Sequence, residues 1–201
     1  MKGNTIISYM ELTSLRDFLA HIVQEAGKAI LDIERRNEEG EFDNFHDYEA
    51  AFNDPIARQE IAVRAVFYEV NAMIESVLHD LAWEPWLKSD EYPGPKALLD
   101  LNKNDELSIL KMVQYLPIGK IIKLIEDSYG IKFDKLEGWI ILWINHEAVN
   151  AFKHRKGFMD FRKGKISIGE RYQAEASRAY EVIDAADAFI KSLSRINDFI
   201  C

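Results

Sequence analysis

Four long segments of this chain carry apolar residues at spacings of three and four, which is the repeat of an amphipathic α-helix. The pattern predicts long helices over residues 13–39, 54–81, 135–155 and 170–197, with shorter helical pieces between residues 96 and 129. Long helices joined by modest connections bury their apolar stripes against one another. We therefore predict an all-α fold, an up-and-down helical bundle of four long helices plus short helices.

Helix boundaries are predicted from residues that favour helix ends. Gly40 is expected to end the first long helix. Asp54 is expected to cap the second, with Pro55 at its first position, where the missing N–H costs nothing. Gly130 is expected to close the last short helix, and Gly157 to end the third long one.

Residues 1–53 hold the first helix and an acidic, aromatic connection. We expect this part to pack on a helical bundle formed by residues 54–201, giving one compact domain overall. The apolar stripes predict the members of the core. We expect largely buried side chains at Val70, Trp139, Ile140, Trp143 and Ile183.

Composition limits the class of protein. The net charge is −9, and the single cysteine, Cys201, cannot form an internal disulfide. The longest uninterrupted apolar run, residues 139–144, is far shorter than the roughly 20 residues of a membrane helix. We expect a soluble, cytoplasmic protein that does not enter a membrane.

The third long helix carries a stripe that changes character along its length. Its first members are apolar and its last three are polar, at spacings of four and three: Leu136, Ile140, Trp143, Glu147, Asn150 and His154. One interpretation is that the helix leaves the core and its end is solvated. The alternative is a polar groove within the bundle, where helical bundles place functional groups.

Positive charge concentrates directly after this stripe. Residues 150–171 contain seven basic and two acidic side chains, a net charge of +5 within a chain of −9. Such asymmetry indicates an anionic partner, either RNA or an acidic protein. Cations are also favoured at a helix C-terminus, which explains part of the cluster without a partner. The candidate phosphate-binding residues are Lys153, Arg155, Lys156, Arg162, Lys163 and Lys165.

Other chemistry has less support in the sequence. The second long helix has a polar face of Arg64, Tyr68, Asn71, Glu75 and His79, and its Glu75–His79 spacing of four allows these two side chains to meet. The spacings of the five histidines do not match a zinc motif, so we expect no metal site and no cofactor. A nucleophile elbow and a glycine-rich phosphate loop are both missing.

The stretch Val149-Asn150-Ala151-Phe152-Lys153-His154, followed by Arg155-Lys156-Gly157, resembles the Arg-Asn-x-x-Lys-His-like motif of the HEPN superfamily of helical-bundle proteins. In that superfamily the motif lies near the end of a bundle helix, before a basic, glycine-containing loop and a final long helix. The resemblance covers about residues 54–201. Val149 stands where the motif has its arginine.

The resemblance implies metal-independent RNA cleavage in a toxin or defence system, by dimers that pair two motifs across an interface. Asn150, Lys153 and His154 match the motif. Chemical reasoning agrees that His154 is able to exchange a proton near neutral pH, with Glu147 holding the imidazole charged.

Because valine cannot organise a phosphate, the first hypothesis is a non-catalytic or degenerate HEPN-like module that binds RNA or protein. The alternatives are an active HEPN ribonuclease, with His154, Asn150 and Glu147 as catalytic residues, and a four-helix metalloprotein. We expect a two-fold homodimer in which the Asn150–His154 faces meet.

Overall fold

The structure is a computed structural model that describes residues 2–88, 116–154 and 174–197. These residues form five α-helices and a single-turn 3-10 helix at Phe133–Lys135, and contain no β-strand. The all-α prediction is therefore confirmed. The α-helices are α1 (Lys2–Glu38), α2 (Phe45–Leu87), α3 (Ile118–Tyr129), α4 (Trp139–His154) and α5 (Ala176–Asn197). The predicted helix end at Gly157 lies outside the described residues.

The chain groups into two compact units. The first unit is Met1–Asn71 with Glu137–Cys201, and the second is Ala72–Leu136. In the first unit, α5 packs against both α1 and α4. Leu19, Phe67, Val70, Ile183 and Phe189 are among its large buried side chains, so the predicted burial of Val70 and Ile183 is confirmed. The proposed division into residues 1–53 and 54–201 stays a prediction.

The second unit contains residues 72–87 of α2, then α3 and the 3-10 turn. Its core is apolar, with Leu78, Ile121, Ile125 and Phe133 almost fully buried. The Tyr129 hydroxyl donates a hydrogen bond to the Leu81 carbonyl oxygen at 3.2 Å, which joins the end of α3 to α2. This unit is held by side-chain packing and by hydrogen bonds at the ends of its helices.

A single glutamate fixes the turn that follows α3. The Glu126 carboxylate accepts a hydrogen bond from the Phe133 main-chain N–H at 2.9 Å and an ion-paired hydrogen bond from Lys132 at 2.7 Å. The Lys132 ammonium, and then the Phe133 N–H, lower the pKa of Glu126. The same hydrogen bond raises the pKa of Lys132. Both charged forms are therefore stabilised in the folded turn.

The start of α2 differs from the prediction. The helix begins at Phe45, and Pro55 lies inside it instead of at its first position. The Asn44 side chain accepts a hydrogen bond from the Asp47 main-chain N–H at 3.1 Å, so Asn44 is the N-cap. Pro55 cannot donate to the carbonyl four residues earlier, and its side chain is buried. The connection expected before residue 54 is mostly helical.

Two predicted helix ends are confirmed. Gly40 has a φ of 75° and its N–H bonds the Asn37 carbonyl, while the Glu41 N–H bonds the Arg36 carbonyl, which is a Schellman ending for α1. Gly130, with a φ of 66°, ends α3 in the left-handed conformation. Helix α1 is longer than predicted, since it already begins at Lys2.

A third glycine brings two helices of the first unit together. Gly138 precedes α4, has a φ of 79°, and an ideal Cβ built on it would lie 2.1 Å from the Ala185 carbonyl oxygen of α5. Only glycine fits this approach without moving the backbone. The helix predicted from residue 135 accordingly begins at Trp139, after the 3-10 turn.

The core-facing side of α4 is not the stripe that the sequence suggested. Ile140 is 65% exposed and Trp143 is 36% exposed, so their predicted burial is wrong, and Trp139 is only partly buried. The buried residues of α4 are Leu142, Asn145, Ala148, Val149 and Ala151. This set also follows helical spacing. Its small alanines allow close helix approach, which explains why this side faces the core although the other carries larger apolar groups.

Candidate functional site

Three polar side chains form a hydrogen-bonded line between α2 and α4 in the first unit. His146 Nδ1 lies 3.1 Å from Asn71 Oδ1, and His146 Nε2 lies 3.0 Å from Asn150 Nδ2. An amide oxygen only accepts and an amide nitrogen only donates. In this arrangement Nδ1 donates to Asn71 Oδ1 and Nε2 accepts from Asn150 Nδ2. We call these three residues the polar line.

Aromatic rings continue from the polar line toward the start of α4. Trp143 stacks on His146 with ring centroids 5.4 Å apart, and Trp139 lies 6.0 Å from Trp143. Trp139 in turn contacts the buried Phe189 of α5, at 5.4 Å. The row of rings thus runs from the core to the surface, where Trp143 and Ile140 are exposed.

A buried asparagine lies beside the polar line. Asn145 is 1% exposed, and its Nδ2 donates to the Phe67 carbonyl oxygen at 3.1 Å. Its Oδ1 is buried and has no hydrogen-bond partner among the described residues. An unsatisfied buried acceptor costs about 1–3 kcal/mol. Asn145 therefore fixes the position of α4 against α2 without contributing fully to stability.

Two cations lie over aromatic rings toward the C-terminal end of α4. The Lys153 ammonium is 5.5 Å from the centroid of the Tyr68 ring, and the Arg64 guanidinium is 5.5 Å from that of Phe152. Arg64 also pairs with Glu60, while its buried Nε has no hydrogen-bond partner among the described residues. Aromatic contacts hold a cation in place without neutralising it, so the charge of Lys153 stays able to attract an anion, whereas the charge of Arg64 is shared with Glu60.

The predicted catalytic residues occupy different environments. Asn150 belongs to the polar line and Glu147 is half-buried, whereas His154 is exposed at the last turn of α4. Within the described part of the chain, no hydrogen bond joins Asn150 to His154. Val149, at the position of the motif arginine, is 1% exposed and belongs to the core.

Only one of the predicted phosphate-binding residues, Lys153, lies within the described residues. The others lie outside them: Arg155, Lys156, Arg162, Lys163 and Lys165. The structure adds Arg64, Asn71 and His146, which sequence reasoning did not place in the site. The separation of four between His146 and Asn150 is a readable signal for their contact. The polar face of the second predicted helix is a signal for Arg64 and Asn71.

The Glu75–His79 pair belongs to the second unit. Burial lowers the pKa of the His79 imidazole, and the negative charge of Glu75 acts in the opposite direction. In residues 2–88, 116–154 and 174–197, no group of three metal-ligating side chains comes together. Among the helices of those residues, none is long and apolar enough to cross a bilayer.

Comparison with known proteins adds no relative: no family model, no curated protein and no solved structure matches this chain.

Proposed function

We propose that this chain is a non-catalytic, HEPN-like module that binds single-stranded RNA along α4 and the neighbouring part of α2. The observation that carries the proposal is the pair of cations, Arg64 and Lys153, each held over an aromatic ring beside the polar line. Held cations contact phosphates at a lower entropic cost than free side chains. The polar line and Trp143 would then meet ribose and base, as in other single-strand sites that combine cations with aromatic side chains.

Binding without cleavage is supported by the surroundings of the imidazole and of the motif position. Both nitrogens of His146 are occupied by asparagine amides, so this ring has no free site for proton transfer. Val149 is a core residue and has no group that stabilises a phosphate. His154 is the remaining candidate for a general acid or base. Among the described residues, no cationic side chain forms a hydrogen bond with it.

Fluorescence anisotropy with a labelled oligouridylate tests the proposal. We expect binding that falls steeply between about 50 and 200 mM salt. Arg64→Gln and Lys153→Gln should each weaken binding and reduce the salt slope by about one, because each removes one phosphate contact. Lys28→Gln is the matched control. It removes the same charge from α1, where Lys28 pairs with Glu25.

Four results would contradict this assignment. Equal binding by all three variants would place RNA elsewhere. Cleavage in the presence of a chelator, abolished by His154→Ala, would favour the metal-independent ribonuclease. No binding at low salt would leave the basic end of the chain as a docking surface for an acidic protein. A metal that co-purifies in stoichiometric amount would favour the metalloprotein.

The exposed apolar side of α4 supports a second role, self-association as a two-fold homodimer. Ile140 and Ile141 are neighbouring exposed apolar residues on one helix. Clustered exposure of this kind is typical of protein interfaces. Sedimentation velocity should show a dimer that Ile140→Glu dissociates. Leu31→Glu on α1, where the leucine is 68% exposed against 65% for Ile140, should leave the dimer intact. A monomer for the wild-type protein would exclude the dimer.

A further inference from the structure

A groove of about 440 Å³ lies between α1 and α2 in the first unit, and its lining contains none of the residues of the polar line. Its lining includes Leu15 and Phe18 from α1 and Ala65 and Val66 from α2. Val66 is buried and forms the floor, whereas Phe18 is 43% exposed. Because Ala65 is small, the floor stays open to an apolar side chain from outside.

The groove is acidic at one end. Glu11 of α1 and Glu69 of α2 complete its lining. A connection of only six residues joins α1 to α2, and helices joined in this way run antiparallel. Glu11 and Glu69 therefore lie toward one end, and Phe18 and Ala65 toward the other. The surface is apolar at one end and negatively charged at the other.

The polar groups of the groove can only accept hydrogen bonds. Glu11 and Glu69 are exposed, and within the described residues neither carboxylate forms an ion pair. The Ser14 hydroxyl is already used, because it donates to the Met10 carbonyl oxygen at 2.9 Å. A ligand that complements the groove must therefore supply cationic donors at one end and an apolar group at the other.

We propose that this groove is a docking site for an amphipathic helix of a protein partner, one that carries a lysine or arginine about two turns from its apolar anchor. Glu11 and Phe18 are seven residues apart, about 10 Å along α1, which sets this separation. A helix laid between two helices buries apolar residues from one face. Small-molecule sites enclose most of their ligand, whereas Glu11, Ser14, Phe18, Ala65 and Glu69 are all exposed.

Anisotropy with a fluorescent model peptide tests the groove. The probe is a helical peptide with leucines at helical spacing and lysines two turns from the central leucine, and its control has glutamates in place of the lysines. We expect the lysine peptide to bind, and the double variant Glu11→Lys/Glu69→Lys to bind it at least about tenfold more weakly. The glutamate peptide should not bind the wild-type protein.

A matched double variant, Glu34→Lys/Glu181→Lys, distinguishes an effect of the protein's net charge from an effect of the two glutamates in the groove. Each reversal adds two positive charges, so both double variants carry −5 where the wild-type protein carries −9. Glu34 and Glu181 are exposed and lie outside the groove lining, so this control should keep near wild-type affinity. Equal losses of affinity for the lysine peptide in the two double variants would mean that the peptide is attracted by the protein's net charge. That result would overturn the proposal.

The apolar end has its own variant. Ala65→Arg places a long side chain over the floor and should also weaken the lysine peptide about tenfold or more. Ala20→Arg adds the same charge at an exposed position of α1 outside the groove and should have little effect. Unchanged binding by Ala65→Arg would overturn the proposal. The proposal would also be overturned if a small aromatic ammonium ion bound in the groove and the lysine peptide did not.

Discussion

The two units place their polar side chains in different parts of the helical packing. In the second unit, the large buried residues are apolar, and the charged hydrogen bonds of Glu126 lie at the turn after α3. In the first unit, Asn71 and Asn145 are buried between helices, and they are the two buried polar residues of the described chain. Polar groups at a turn satisfy main-chain groups that no helix can satisfy. Polar groups between helices need another explanation.

Stability does not explain the polar residues of the first unit well. Replacing a buried polar pair by apolar groups of the same shape is often nearly neutral, and Asn145 Oδ1 is unsatisfied. Such residues are retained where they fix geometry for a function. In the described residues, the second unit keeps its charged hydrogen bonds at a turn beside an apolar core, whereas the first unit places Asn71 and Asn145 between its helices.

The largest expected effect is that of Asn145→Asp. An ionised carboxylate at this position is buried and faces the Phe67 carbonyl oxygen, so it cannot donate the hydrogen bond that Asn145 makes. We expect a loss of about 3–5 kcal/mol in the free energy of unfolding near pH 7. Burial raises the pKa of such a carboxyl group, so the loss should shrink as the pH falls toward about 4.

Chemical denaturation followed by circular dichroism at both pH values measures this effect. Asn145→Leu is the control, and its cost should be below about 1.5 kcal/mol and independent of pH. If Asn145→Leu is fully stable but binds RNA poorly, the contrast between the units becomes sharper. If Asn145→Asp is equally stable at both pH values, residue 145 is not buried as described and the contrast fails.

The second prediction compares one glycine from each unit. Gly138→Ala should destabilise the protein by about 2–4 kcal/mol, because a left-handed alanine is strained and its Cβ would overlap the Ala185 carbonyl. Gly130→Ala in the second unit causes backbone strain but no overlap, because nothing lies within 4 Å of the added Cβ. It should lower the free energy of unfolding by about 1 kcal/mol. Thermal unfolding of both variants checks the difference. Equal costs would show that α4 and α5 do not approach closely at this glycine.

The fold class could be read from the sequence because long helical repeats leave few alternatives. The first and last residues of the helices were harder to predict from the sequence. Pro55 after Asp54 is a strong start signal, but Asn44 followed three residues later by Asp47 offers another cap, and tertiary packing decides between them. The glycine endings at Gly40 and Gly130 were predicted correctly, because a left-handed terminus is a local property.

The inward side of α4 could not be read from periodicity alone. A stripe through Ile140 and Trp143 and a stripe through Leu142 and Asn145 both have helical spacing. Large apolar residues favoured the first stripe, whereas close helix approach at Ala148 selected the second. Sequence periodicity was equally insufficient to predict the contacts within the candidate site. Asn150 was identified, but its partner is His146, and the contact of His146 with Asn71 depends on two helices distant in sequence.

The smallest expected effect concerns the turn of the second unit. Glu126→Gln keeps the shape of the side chain but removes the charge that pairs with Lys132 and strengthens the bond from the Phe133 N–H. Because Lys132 is exposed while Glu126 is partly buried, we expect a loss of about 1 kcal/mol at neutral pH. Amide hydrogen exchange at Phe133, followed by NMR, reports on this turn directly.

The pH dependence distinguishes this charge from simple packing. The folded pKa of Glu126 is lowered from 4.5, so its contribution is fully present above that value and is lost as the pH falls through the folded pKa. The protection of the Phe133 N–H should therefore decrease in acid in the wild-type protein. In Glu126→Gln it should be lower at neutral pH and insensitive to acid over the same range. Equal protection in both proteins at neutral pH would mean that packing of the buried Phe133 ring alone fixes the turn. The turn after α3 would then depend on packing and not on charge. The difference from the first unit, with its polar residues between helices, would be larger.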